Sequence, residues 1–158
     1  MREAPPDNIF ARILRGELPS YQVYADEAVM AILDIYPQTP GHTLVMPRNF
    51  SANLFEASAE DAAASLAAVR RLAPAVQRAV QAPGVSVLTN TGRDAGQMIE
   101  YLHWHIIPRF PQDKVSLHRI GEAATPNDLQ AMAERIRREI ETDGRTGVRP
   151  YPNPESTS

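Results

Sequence analysis

DAGQMIEYLHWHIIPRF, residues 94–110, carries two of the four histidines, His103 and His105, two positions apart inside an apolar run. Side chains on a β-strand alternate between faces. A strand over 99–107 therefore places Tyr101, His103, His105 and Ile107 on one face and Leu102, Trp104 and Ile106 on the other. Two imidazoles side by side on a core strand give up apolar burial and demand hydrogen-bond partners, which points to chemistry rather than packing.

The segments before this strand set the fold class. Residues 7–16, DNIFARILRG, predict a short amphipathic helix with Asp7 as N-cap, an apolar stripe of Ile9, Phe10, Ile13 and Leu14, and Gly16 as the stop. Two strands, 21–25 and 28–34, flank the polar pair Asp26 and Glu27 as a hairpin. The proline-rich loop 36–41 follows, then a third strand over 43–46 closed by Pro47. Ser58 and Asp61 resemble a capping box opening an alanine-rich helix that reaches about Ala82. Its apolar positions are Leu66, Val69, Ala73, Val76 and Val80, and Pro74 is expected to kink or divide it.

A fourth strand, 85–89, and the loop 90–96 lead into the histidine strand. A last helix over 126–142 is opened by Asn127 or Thr125, and its basic run Arg135, Arg137 and Arg138 reads as a solvated face. This order predicts an α+β fold: an antiparallel sheet of about five strands with helices packed on it. One domain is expected over 1–143, with its motif-bearing core at 7–110 and a flexible tail at 144–158.

Composition narrows the chemistry. The 158 residues contain no cysteine, which removes disulfides, thiolate metal sites and cysteine nucleophiles, and the cytoplasm is the default expectation. The net charge of −3 argues against a nucleic-acid backbone partner, and no run is apolar enough for a membrane partner. A compact anion remains possible, held by backbone N–H groups whatever the global charge.

Three readings of His103 and His105 compete. They are structural, or they share a zinc ion with a third ligand such as His42, or one is a nucleophile and the other its proton or charge partner. The third uses the most residues. The loop NTGRDAGQ, 90–97, offers backbone N–H groups for phosphate oxygens, with Asn90 and Gln97 as neutral side-chain donors. His42, in PGHTLVMP, reads on its own as a loop histidine.

Taken together, DNIFARILRGELP (7–19), AILDIYPQTPGHTLVMP (31–47), NTGRDAGQ (90–97) and YLHWHIIPR (101–109) resemble the histidine triad (HIT) superfamily in order and spacing. The N-terminal half is closer to the Hint-like branch, the nucleoside phosphoramidases, than to the dinucleoside polyphosphate hydrolases. The resemblance implies a nucleotide hydrolase or transferase in which His103 attacks the α-phosphorus, becomes nucleotidylated and is released by water. It places His105 at the phosphate oxygens, His42 beside the site and Asp34 on the ribose hydroxyls. Phe10, Leu18, Ile32 and Leu33 fall at the base pocket, and Asn90, Gly96 and Gln97 in the phosphate loop. It further implies a purine nucleotide such as AMP or a nucleotide conjugate as partner, a homodimer joined through the sheets, and neither metal nor cofactor.

Two positions depart from the pattern. Tyr101 stands where the family has the first triad histidine, and Met98 where many members carry Ser or Thr. Tyrosine donates a hydrogen bond but cannot become an imidazolium near neutral pH, so a relay from this position to His42 would be altered.

Overall fold

The computed structural model describes residues 2–142. Its elements are α1 (Ile9–Leu14), β1 (Gln22–Ala25), β2 (Val29–Leu33), β3 (Thr43–Pro47), α2 (Ala59–Val80), β4 (Gly84–Leu88), β5 (Trp104–Arg109) and α3 (Pro126–Thr142), with a single 3-10 turn at Arg93–Ala95. The five strands form one antiparallel sheet in the order β1-β2-β3-β5-β4. This is the α+β architecture the sequence predicts. The expected tail, 144–158, lies outside the described residues.

Strand alternation divides the core into two layers. Val29, Ala31 and Leu33 of β2, Val45 of β3 and Ile106 of β5 pack on one face beneath α2 and α3, against Val69, Leu72, Val76, Leu129 and Ile136. Met30 and Ile32 of β2, with Leu44 and Met46 of β3, face the other way and meet Phe10 and Ala11 of α1 and the Tyr101 ring. The helices thus cover one face, and the short α1 covers part of the other. That second face carries the histidines.

Several local expectations are corrected. Asn8, not Asp7, caps α1: its Oδ1 accepts from Ala11 N at 3.1 Å while its Nδ2 donates to the Glu100 carbonyl at 3.2 Å. Only Phe10 and Ala11 of α1 are buried, and Ile9 is half exposed. In α2, Ser58 caps as expected, its Oγ accepting from Asp61 N at 3.0 Å. The buried stripe is Ser65, Ala68, Val69, Leu72, Ala75, Val76 and Ala79, so Leu66 lies on the exposed side. Pro74 does not divide the helix, which runs unbroken over 22 residues. Pro74 lies on its exposed side, where water can serve the carbonyl that a proline leaves without a donor.

Thr125, rather than Asn127, caps α3, accepting from Asp128 N through its hydroxyl at 3.1 Å. Two arginines of the basic run are more than a solvated face. Arg135 donates to the Ala79 carbonyl near the end of α2, and Arg137 to the Gln22 carbonyl of β1, so they tie α3 to its neighbours.

The histidine strand starts later than its apolar pattern indicates. β5 begins at Trp104, because the segment before it turns back on itself. Tyr101 N donates to Ile99 O at 2.9 Å, and Leu102 N donates to Ser51 O at 2.8 Å instead of joining the ladder with β3. The alternation nevertheless survives the turn. Trp104 and Ile106 face the helices, while Tyr101 and His103 meet Phe10 on the opposite side.

Candidate active site

His103 and His105 lie with ring centroids 4.9 Å apart, at the start of β5. His42, at the entry to β3, joins them. Its Nε2 is 2.9 Å from His105 Nδ1, and its ring is almost fully buried. The strand register explains the meeting, since Thr43 pairs with Ile106 and Leu44 with His105. The loop reading of His42 is therefore corrected: the turn 36–41 delivers it into the histidine cluster.

The hydrogen bonds fix which ring nitrogen carries each proton. Gln38 N donates to His42 Nδ1 at 3.0 Å, so Nδ1 is an acceptor and Nε2 holds the hydrogen. His42 Nε2–H then donates to His105 Nδ1, which leaves the His105 hydrogen on Nε2. His103 is set the other way, because its Nδ1 lies 2.6 Å from the Tyr101 carbonyl, which can only accept. Its Nε2 therefore presents a bare lone pair. The Phe10 ring stands edge-on to it, with centroids 4.9 Å apart at 77°.

Burial keeps these rings neutral. It lowers His42 to about 4 and His105 to about 3, with neighbouring imidazoles adding to both shifts. His103 is also lowered by burial, against the opposing pull of the Tyr101 carbonyl. Asp34 shifts the other way, up to about 6, because burial outweighs the Tyr36 N–H that its Oδ1 accepts at 2.9 Å. Its Oδ2 lies 3.8 Å from His42 Nδ1. That contact is no ion pair at neutral pH, since the imidazole is uncharged and the nitrogen already accepts from Gln38.

Asp34, His42 and His105 each offer one donor atom within 4.8 Å of the others, close enough to share a cation. A cation there would compete with the His42–His105 bond. Asp34 replaces His103 in this trio, so the zinc set weighed from the sequence is not the one the fold brings together.

The phosphate-loop candidates behave unequally. Gly96 has φ +101°, and a Cβ there would stand 2.2 Å from the Leu117 carbonyl, so only glycine fits. Asn90 Nδ2 lies 3.5 Å from the same point. Gln97 is not free to donate to a ligand. Its Nε2 donates to the carbonyls of Ala52 at 2.6 Å and Ile99 at 3.1 Å, and its Oε1 accepts from Gly92 N at 2.9 Å. It shapes the loop from within.

The base-pocket set also divides. Phe10 and Ile32 share the histidine-side cluster, whereas Leu33 points under the helices and Leu18 is outside that cluster. Met30, Leu44 and Ile13 take part instead. Strand alternation carries that signal, since adjacent Ile32 and Leu33 cannot face the same way. Tyr101 is fully buried, and its hydroxyl lies 2.7 Å from the Pro47 carbonyl and 3.0 Å from that of Arg48, to which it donates. Those carbonyls lie at the opposite end of β3 from His42. Met98 is two-thirds exposed.

A family model for the HIT domain matches residues 15–112. The chain belongs to the HIT family. An uncharacterized HIT-like protein of Saccharolobus solfataricus is 43% identical over 105 residues, 66% of this chain and 76% of that protein. Among solved structures, a HIT-like protein from Bartonella henselae aligns with a TM-score of 0.79 at 37% identity, covering 87% of this chain and 99% of its own. A hypothetical histidine triad nucleotide-binding protein from Sulfolobus tokodaii aligns at 0.77 and 37% identity, covering 84% and 91%. These HIT proteins share the five-stranded fold. Among the described residues, no helix is long and apolar enough to cross a membrane.

Proposed function

We propose that this HIT protein is a nucleotide hydrolase or transferase that cleaves a nucleoside monophosphate from a small leaving group through a nucleotidyl group on His103. A purine nucleoside phosphoramidate is the first choice of substrate, and a dinucleoside polyphosphate the alternative. The observation that carries the reading is the opposite tautomers of two adjacent imidazoles. His103 offers a lone pair on Nε2 and His105 a proton on Nε2.

A neutral nucleophile suits this chemistry because phosphate oxygens repel anions. His103 Nε2 attacks the α-phosphorus, the bond to the leaving group breaks, and that group departs with the electron pair and collects a proton. The ring becomes cationic, and its Nδ1–H remains on the Tyr101 carbonyl, which stabilises that charge. His105 Nε2–H donates to a phosphate oxygen as negative charge builds. One such donor is worth roughly 10²–10³ in rate. Water then attacks phosphorus, loses a proton, and restores neutral His103. Phe10 and Ile32 supply apolar contact for the base, and ionised Asp34 accepts from the ribose hydroxyls. The nucleotide-binding relative from Sulfolobus tokodaii supports the ligand class.

The experiment is direct. The purified protein, incubated with adenosine 5′-phosphoramidate and separately with a diadenosine polyphosphate, is expected to release AMP from at least one. No AMP from either would leave only a binding module, the reading favoured by Tyr101 and Met98, and AMP would then bind and persist.

A further inference from the structure

Residues 111–125 leave β5 and cross to α3 as a strap over the turn that carries His42. The Leu117 carbonyl packs on Gly96, and Gly121 on the Pro37 carbonyl, where a Cβ would stand 2.1 Å away. Ala124 N donates to the Ile35 carbonyl at 3.1 Å. At the centre the strap grips Gln38. Ser116 N donates to Gln38 Oε1 at 3.2 Å, and Gln38 Nε2 donates to the Arg119 carbonyl. The same residue's backbone N–H is the donor to His42 Nδ1. Most of the strap lies beyond the family match, which ends at residue 112.

Only an amide of this reach satisfies both strap contacts, because one end must accept from an N–H and the other must donate to a carbonyl. With the side chain released, the Gln38 peptide would lose its two ties to the strap while Tyr36 and Thr39 stay held on either side, and its N–H could swing away from His42. The imidazole could then keep its proton on Nδ1 and turn a lone pair on Nε2 toward His105. His105 would answer by donating from Nδ1, leaving a lone pair on its own Nε2 where the phosphate oxygens would come. An acceptor would face anionic oxygens in place of a donor, reversing the interaction.

We propose that Gln38 is a positioning residue: by clamping the strap to the turn it holds its own N–H on His42, and so aims the His105 Nε2–H at the substrate phosphate. The catalytic half rests on the nucleotide-transfer reading above. The tautomer half does not.

Gln38→Met keeps the length and removes both strap bonds. Imidazole nitrogen NMR on the folded, ligand-free chain is expected to show His42 purely as the Nε2–H tautomer in the unaltered protein and as a mixture in the variant. With adenosine 5′-phosphoramidate, kcat is expected to fall about 10-fold, as for a partly lost donor, with KM within about two-fold. Should Gln38→Met fail to fold, Ser116→Pro removes the donor to Oε1, along with the long 3.4 Å contact from His118 N to the Ser116 hydroxyl, and is expected to shift both readouts in the same direction by less. An unchanged tautomer in a folded variant overturns the proposal. So does a mixed tautomer with unchanged kcat, or a lower kcat with the His42 tautomer intact. If the unaltered protein releases no AMP, the proposed function fails, and the NMR comparison still decides the role of Gln38.

Discussion

Asp34→Asn removes a buried charge while keeping the shape and the acceptor for Tyr36 N. The carboxyl titrates at about 6 in the fold, raised by burial from an ordinary 3.8. A gap of roughly two units at ~1.4 kcal/mol each corresponds to ~3 kcal/mol. The folded state binds this proton more tightly than the unfolded state. The destabilisation is therefore absent below the unfolded value, grows as pH rises between the two, and is complete above 6. The side chain keeps 23% of its surface exposed, so screening by water brings the expected figure to ~1–3 kcal/mol. Urea denaturation of both proteins is expected to show the variant more stable by that amount at pH 8. At pH 4 the difference shrinks to about 0.5 kcal/mol. AMP binding should weaken about ten-fold or more, because an ionised acceptor for the ribose is lost. A variant no more stable than the parent at pH 8, or a gain independent of pH, would refute this account of Asp34.

Acid should act on the histidines in the opposite sense. His42 and His105 are held near 4 and 3, below their ordinary 6.5, so their contribution to stability is present above 6.5 and is lost as pH falls toward those values. Urea midpoints compared between the parent and His42→Gln at pH 7.5 and 4.5 should show the parent losing more stability on acidification; equal losses would contradict it. Tyr101→Phe leaves the Pro47 and Arg48 carbonyls without their shared donor and is expected to cost about 1–2 kcal/mol in denaturation. AMP release should remain within about two-fold of the parent, since the hydroxyl points away from the imidazoles; its abolition in a folded Tyr101→Phe protein would place the phenol in the reaction.

The fold was legible because each element carried its own period. The β2–β3 pair, the α2 cap at Ser58 and the span of α3 all follow from alternation, capping chemistry and helical spacing in the chain. The errors arose where local signals were degenerate. Asp7 and Asn8 are both good caps, and only the second bonds Glu100 from a distant segment. Residues 99–103 have a strand-like composition, but Tyr101 N turns back to Ile99 O and Leu102 N goes to Ser51 O instead of joining a ladder. The site was legible as His103 and His105, while His42 needed the family pattern because its partner, His105, lies 63 residues away. Gln97 and Gln38 show the remaining limit. Each is a polar residue near the site, and only the fold tells that both side chains are committed to backbone groups.

The central claim is that His103 Nε2 becomes covalently nucleotidylated. Rapid acid quench of the protein with adenosine 5′-phosphoramidate, followed by peptide mass spectrometry, tests it most directly. The account predicts an adenylyl group on the peptide containing His103, formed and lost at rates that match AMP release, and missing from a folded His103→Ala variant that no longer releases AMP. Steady AMP release by His103→Ala, or an adduct on His105 or His42 instead, would contradict it.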